Sequence, residues 1–407
     1  MAMTMLETVT PERVGLSSAR LGRVTDLMRR YVDEGKLAGM VGVIFRRGGV
    51  AYAEAVGQRD IEAGKPMTLD TIFRIMSMTK PVTSVAAMML YEEGRFQLND
   101  PISRYLPELG AMQVMVGGTP EAPVLESAER PITIHDLLTH TGGLAYGLVP
   151  QISHAEAMYA GARMLAFDEP MADKIVRLGH LPLAGQPGAR WQYSFSTDVL
   201  GHLVEVLSGQ TLDVFFRERI LAPLGMADTG FYVPTSALDR LAALYTRGDG
   251  GLTIPKTAPT APPTQPPALL SGGGGLVSTA ADYLRFCQML LNKGELDGIR
   301  LLGRKTVELM TMNHLPEALM PPVSLPGTEV FTRGHGFGLG FAVMVDVVRA
   351  AIVGSVGSYW WNGAYETIFW VDPVENLIAV FLTQFTPPML YPLRRDVRVA
   401  TYQAIVE

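Results

Sequence analysis

Cysteine is almost missing from this chain: Cys287, inside the apolar stretch ADYLRFCQML, is the only one. A disulfide within the chain is therefore excluded, and a lone thiol among apolar neighbours reads as a buried structural group, not a nucleophile. Charge is sparse at 18% of residues, and the net charge of −6 arises from interspersed signs. With no basic stripe, the chain lacks the electrostatic footprint of a nucleic-acid-binding protein. No apolar run reaches the length needed to span a bilayer, so a membrane partner is not expected either. The N-terminal MAMTMLETVTPERVGLS lacks the basic segment and apolar stretch of a secretory leader, which makes the cytoplasm the expected compartment. Two common hydrolase signatures are also missing. There is no H-E-x-x-H, the helical zinc motif, and no G-x-S-x-G, the nucleophile elbow of α/β-hydrolases. The glycine run SGGGG at 271–275 lacks the Lys-Ser/Thr of a phosphate loop and reads as a close-packed turn near a sheet.

What is present is a globular composition. With 48% hydrophobic residues over 407 positions, the chain can bury a sizeable core. Residues 17–35 have the spacing of an amphipathic helix, with Leu21, Val24, Leu27, Met28 and Tyr31 on one side. Two strand-like runs follow, GMVGVIFRR and AYAEAVGQRD, joined by the hairpin signal Gly48-Gly49. From Ser77 to about residue 220 the pattern is helical with loops, including HDLLTH and TDVLGHLVEVLSG. Residues 246–275, rich in Pro and Gly, read as a surface loop or crossing.

The C-terminal third returns to strands, in FAVMVDVV, AAIVGSV, YETIFWVDP and LIAVFLTQF, and a last helix is expected near 392–406. Strands at both ends with helices between predict an α+β fold. One antiparallel sheet would be assembled from the two chain ends, flanked by terminal helices, with a mainly helical domain inserted. The corresponding boundaries are 1–76 and 225–407 for the discontinuous sheet domain and 77–224 for the helical one. No internal repeat is evident.

One tetrapeptide carries chemistry: Ser77-Met78-Thr79-Lys80, an S-x-x-K. On a helix, residues three apart share a face, so the Lys80 amine reaches the Ser77 hydroxyl without help from a distant loop. Of the seven lysines, only Lys80 has a serine three positions before it. The following PVTSVAAMMLYEEG has helical spacing, with Pro81 in the first turn and Gly94 as a C-terminal stop. The competing reading of the tetrapeptide alone is an N-cap serine beside a solvated lysine. His135 and His140 are five apart, share no helix face, and read as structural hydrogen-bonding groups, not metal ligands.

The segments SMTKPVTS, ITIHDLLTHTGGL, GARWQYSFSTDVLGHLVE, SGGGGLVSTAADYLRF, HGFGLGF and YWWNGAYETIFWVDP occur in that order. Together they resemble the class C β-lactamase and penicillin-binding-protein superfamily, and within it the family VIII carboxylesterases, from about residue 12 to about residue 400. The resemblance implies a β-lactamase/transpeptidase-like fold, no cofactor or metal, and a small-molecule ester as partner. It places the nucleophile at Ser77, its partner at Lys80, and the tyrosine of the superfamily's Y-x-N motif at Tyr193. Trp361-Asn362-Gly363 falls where β-lactamases carry K-T-G, and the backbone N–H groups of Ser77 and Ala364 would form the oxyanion hole. Whether Lys80 or Tyr193 takes the first proton stays open at this level.

Two departures from the β-lactamase pattern bear on substrate. Phe195 stands where Y-x-N has its asparagine, and Trp361 replaces the lysine of K-T-G. With Gly363, these residues are expected to line a more apolar pocket, suited to a neutral ester and less to an anionic amide. The leading expectation is a serine carboxylesterase for short-acyl esters, with alcohol as an alternative acceptor and weak β-lactam opening as a side reaction. A β-lactamase or D-amino-acid peptidase is the second reading. A non-catalytic binding or sensor protein on the same fold is the third, and the intact Ser77, Lys80 and Tyr193 speak against it.

Overall fold

The computed structural model describes residues 6–256, 264–319 and 333–407. Residues 1–5, 257–263 of the Pro- and Gly-rich stretch and 320–332 lie outside them.

The first helix, α1 (Ser18–Asp33), starts where the Ser17 hydroxyl accepts the Arg20 N–H at 3.3 Å, an N-cap. It buries Leu21, Val24, Leu27, Met28 and Tyr31, the stripe expected from the spacing. Strands β1 (Gly39–Arg46) and β2 (Gly49–Asp60) form the hairpin, with Gly48 at φ +87° in the turn. A two-residue strand, β3 (Lys65–Pro66), extends that edge.

Helices α2 (Thr79–Glu92), α3 (Ser196–Ser208) and α4 (Ala280–Leu291) follow. The C-terminal strands are β4 (His335–Phe337), β5 (Ala342–Met344), β6 (Tyr359–Asn362), β7 (Ile368–Asp372) and β8 (Leu377–Leu382), before the closing helix α5 (Leu393–Tyr402). The main sheet has eight strands in the order β4-β5-β6-β7-β8-β1-β2-β3. Every pairing in it is antiparallel, and the first and last thirds of the chain meet where β1 pairs with β8, Val43 opposite Val380.

The central strands β1, β7 and β8 are buried at every position, which explains why they read as continuous apolar runs without alternation. Helices α1 and α5 pack together, with α1 against β1 and β2, while α4 packs on β1, β7 and β8. Helix α2 is buried from Thr79 to Leu90 and packs on α3. Its small and apolar residues run all the way round because it has no solvent face.

Three expectations are corrected. AAIVGSV is not a strand, and FAVMVDVV is a strand only over Ala342–Met344. The Asp346 carboxylate accepts the N–H groups of Val348 and Arg349, both at 2.9 Å, capping a short helix, Val347–Ala350. Ala351 at φ +51° and Gly354 at φ +155° then turn the chain, so apolar content here belongs to a capped turn. Second, the segment after Ser77 is not purely helical, because Gln113–Gly118 and Pro123–Ser127 form a hairpin. Third, the close packing of SGGGG is against a helix, while the run leads into the short strand Val277–Ser278, paired with Phe73–Arg74. A Cβ on Gly272 would lie 2.8 Å from the Thr197 carbonyl and 3.1 Å from the Gly201 Cα, both in α3.

Candidate active site

Ser77 sits in a single tight helical turn, Met76–Met78, that runs directly into α2. Met76, the residue before it, has φ +48°, a left-handed conformation costly for a side chain of this size. The turn thus presents the serine at a helix N-terminus, where the peptide dipoles favour developing negative charge. Pro81, two residues after the start of α2, falls in the first turn, where its missing N–H costs no helical bond.

Lys80 is 1% exposed and points back along the same face. Its Nζ donates to Ser77 Oγ at 3.3 Å, Tyr146 OH at 3.1 Å and the Gly273 carbonyl at 2.7 Å. Three acceptors match the three protons of an ammonium. Burial pulls the Lys80 pKa down, but Tyr146, Tyr193 and the Asp198 carboxylate outweigh it, and the net direction is up. A solvated lysine, the competing reading of the tetrapeptide, is not what this geometry contains.

Tyr193 approaches from the segment before α3, and its OH donates to Ser77 Oγ at 2.8 Å. Its ring lies 4.7 Å from Lys80 Nζ, within cation–π range. Around it stand Trp191, stacked at 6.4 Å, His140 at 5.0 Å, Tyr146 at 5.1 Å and Trp361 at 5.4 Å between ring centroids. This aromatic packing limits where the Tyr193 hydroxyl can point. His140 Nδ1 pairs with Ser194 Oγ at 3.0 Å, and burial, with the Lys80 cation nearby, holds its imidazole well below the ordinary histidine pKa. His135 turns elsewhere, its Nε2 3.0 Å from His314 Nδ1.

The far wall comes from β6 and the turn after it. Trp361 is 6% exposed and meets Phe337 edge-on at 5.4 Å. A Cβ on Gly363 would collide with the Ile75 carbonyl and the Thr367 hydroxyl, so the backbone at 363–364 packs directly against the segment leading into Ser77. Thr367 Oγ1 donates to the same Ile75 carbonyl at 3.2 Å. Phe195 is 1% exposed at the start of α3, its N–H donating to the Ala145 carbonyl at 3.0 Å. The structure thus gathers Ser77, Lys80 and Tyr193 through direct bonds and sets Trp361 and Gly363 beside them. Phe195 is placed in the core.

Sequence reading missed three participants. Tyr146 is positioned by Glu156, whose carboxylate accepts the N–H groups of Tyr146 at 3.0 Å and Gly147 at 2.6 Å. Asp198 Oδ1 accepts from Ser271 Oγ at 2.6 Å and Gly273 N at 3.0 Å, fixing the loop whose carbonyl holds Lys80. A Cβ on Gly273 would collide with that carboxylate, which is why the glycine run sits here. Burial pushes the Asp198 pKa up, although Lys80 and the Ser271 hydroxyl pull against it.

The Tyr146 contact yields an expected result. Tyr146→Phe removes one acceptor of a buried ammonium, a bond of the charge-assisted kind, and should lower kcat about 10- to 100-fold. KM for a short ester should stay nearly unchanged, since the phenol touches the lysine and not the serine. Steady-state kinetics on a nitrophenyl ester check this, and unchanged kcat would mean the third bond of Lys80 is dispensable.

A family model described as Beta-lactamase matches residues 24–403. Protein Rv1367c of Mycobacterium tuberculosis (strain ATCC 25618 / H37Rv) is 40% identical over 365 residues, covering 89% of this chain and 89% of its own. Esterase EstB of Burkholderia gladioli is 32% identical over 410 residues, covering 95% of each. Among solved structures, EstCE1, titled a hydrolase with promiscuous acyltransferase activity, superposes with a TM-score of 0.79 at 29% identity, covering 94% of this chain and 99% of its own.

Proposed function

This chain belongs to the β-lactamase family, and from that premise we propose that it is a serine esterase that works through an acyl-enzyme on Ser77. The observation that carries the reading is the closed set of bonds in which Ser77 Oγ meets both Lys80 Nζ at 3.3 Å and Tyr193 OH at 2.8 Å. A serine hydroxyl is a poor nucleophile until a base lies within hydrogen-bond reach. Two do here. The esterase relative and the hydrolase with acyltransferase activity support ester chemistry over lactam chemistry.

In the proposed reaction Ser77 Oγ attacks the ester carbonyl while its proton moves to the Lys80–Tyr193 pair. The pair acts as the base in the form that carries one proton fewer between its two groups, written as Lys80 ammonium and Tyr193 phenolate, and the Tyr193 oxygen receives the serine proton along the 2.8 Å line. The Lys80 charge stabilises that phenolate, and the N–H groups of Ser77 and Ala364 stabilise the tetrahedral oxyanion. Tyr193 then returns the proton to the departing alcohol. Water, or a second alcohol, attacks the acyl-enzyme by the same steps reversed, which gives hydrolysis or transesterification.

Substrate class follows from what the walls offer. Trp361 contributes a buried ring where a lysine would attract a carboxylate, and Phe195, packed into the core at the position of the motif's asparagine, leaves the wall without that amide. We therefore expect kcat/KM for nitrophenyl butyrate to exceed that for a chromogenic cephalosporin by at least about 100-fold, the scale of one lost charge-assisted contact or more. Both substrates are compared on one enzyme preparation. Comparable efficiencies would mean that other residues hold the β-lactam, and the β-lactamase reading would take over.

A further inference from the structure

We propose that Arg394, on α5, is a positioning residue for the oxyanion hole, acting through the Gly363–Ala364 peptide. This inference rests on the Ser77 acyl-enzyme reading and adds a residue to it that lies outside every motif of the active site.

Arg394 Nη2 donates to the Gly363 carbonyl at 2.9 Å. That carbonyl and the Ala364 N–H belong to one peptide unit. In a planar trans peptide the C=O and N–H point in opposite directions, so fixing one fixes the other. An arginine holding the Gly363 oxygen from the α5 side therefore aims the Ala364 N–H away from α5. The Ile75 carbonyl, two residues before Ser77, packs directly against Gly363. The bond also polarises the peptide. Drawing electron density to the oxygen makes the N–H a better donor, as in any hydrogen-bond chain of low local dielectric.

The arginine is itself held for this task. It is 3% exposed, and its Nε stands 3.1 Å from Glu366 Oε2 as an ion pair with both partners buried. Glu366 lies in the turn that follows, at φ +63°, and its other oxygen accepts the Met389 N–H. One guanidinium thus holds the turn at residue 363 by a hydrogen bond and at residue 366 by an ion pair. A buried cation facing a single carboxylate would be explained by that pair alone. The bond to a backbone carbonyl of the turn is what the pairing does not require.

The test separates orientation from simple structural support. Three variants are made: Arg394→Met, Arg394→Met with Glu366→Gln, and Glu366→Gln alone. The double variant removes the unpaired buried charge that the single one leaves, so it keeps the comparison available if Arg394→Met fails to fold. Each protein is acylated with a short nitrophenyl ester carrying a 13C carbonyl, and the acyl-enzyme carbonyl stretch is read by infrared difference spectroscopy. The wild-type band should be lowered by the oxyanion donors. It should move to higher wavenumber in both Arg394 variants and by less in Glu366→Gln, which keeps the Arg394 bond to the Gly363 carbonyl.

The kinetic counterpart is a kcat loss of about 10- to 100-fold in both Arg394 variants, smaller than removal of a whole oxyanion donor, with KM little changed. A folded Arg394 variant with the wild-type band and kcat within about twofold would overturn the proposal while leaving the Ser77 reading intact. Failure of the wild-type protein to form any acyl-enzyme on Ser77 would overturn both.

Discussion

Ser77→Ala is expected to abolish ester turnover, with a loss of at least about 10⁴-fold in kcat, and to leave the fold intact. Among the described residues Ser77 is the hydroxyl that hydrogen-bonds both Lys80 and Tyr193, so the proposed nucleophile has no evident substitute beside it. The fold should survive because the turn around Ser77 is held by backbone bonds, such as Met78 N–H to the Ile75 carbonyl at 3.0 Å, that do not use the hydroxyl. Hydrolysis of nitrophenyl butyrate is measured beside circular dichroism and a thermal melt. A correctly folded variant that kept most of its activity would remove Ser77 from the mechanism.

The second large effect is non-additive. Lys80→Ala and Tyr193→Phe should each cut kcat by about 10³-fold or more, and the double variant should lose little beyond the worse single one. In the proposed relay Tyr193 accepts the serine proton only with the Lys80 charge beside it, and that charge serves no purpose without the tyrosine oxygen to stabilise. Lys80 Nζ is 4.7 Å from the Tyr193 ring, close enough for coupling of this kind. A double-variant cycle checks it. If the two losses multiplied, lysine and tyrosine would act independently, and the shared relay would be wrong.

What was legible in the sequence depended on how local the cause was. The α1 stripe, the Gly48-Gly49 hairpin and the runs of β7 and β8 were readable because periodicity or a turn glycine fixes them within a few residues. AAIVGSV misled because apolar content alone does not distinguish a strand from a capped turn. The deciding features were Asp346 and the left-handed Ala351, which composition hides. Ser77 and Lys80 were legible for the same local reason, being three apart at one helix start.

Tyr146, Asp198 and Arg394 were not. Each enters through contacts between residues distant in the chain: Tyr146 with Lys80 66 positions away, Asp198 with Gly273 75 away, Arg394 with Gly363 31 away. No spacing rule connects such pairs. The one signal on offer was the SGGGG run, since several consecutive glycines ask what packs so closely against them. The answer is α3, whose Thr197 carbonyl lies against Gly272 and whose Asp198 carboxylate lies against Gly273.

The proposed reaction requires a covalent bond to one serine. Intact-protein mass spectrometry after brief exposure to an activated short-chain ester, followed by peptide mapping, reads that bond directly. A single acyl group is predicted on the peptide containing Ser77, absent from Ser77→Ala and discharged faster when an alcohol is added. An unmodified protein that still turned over the ester, or an acyl group on any other residue, would contradict it.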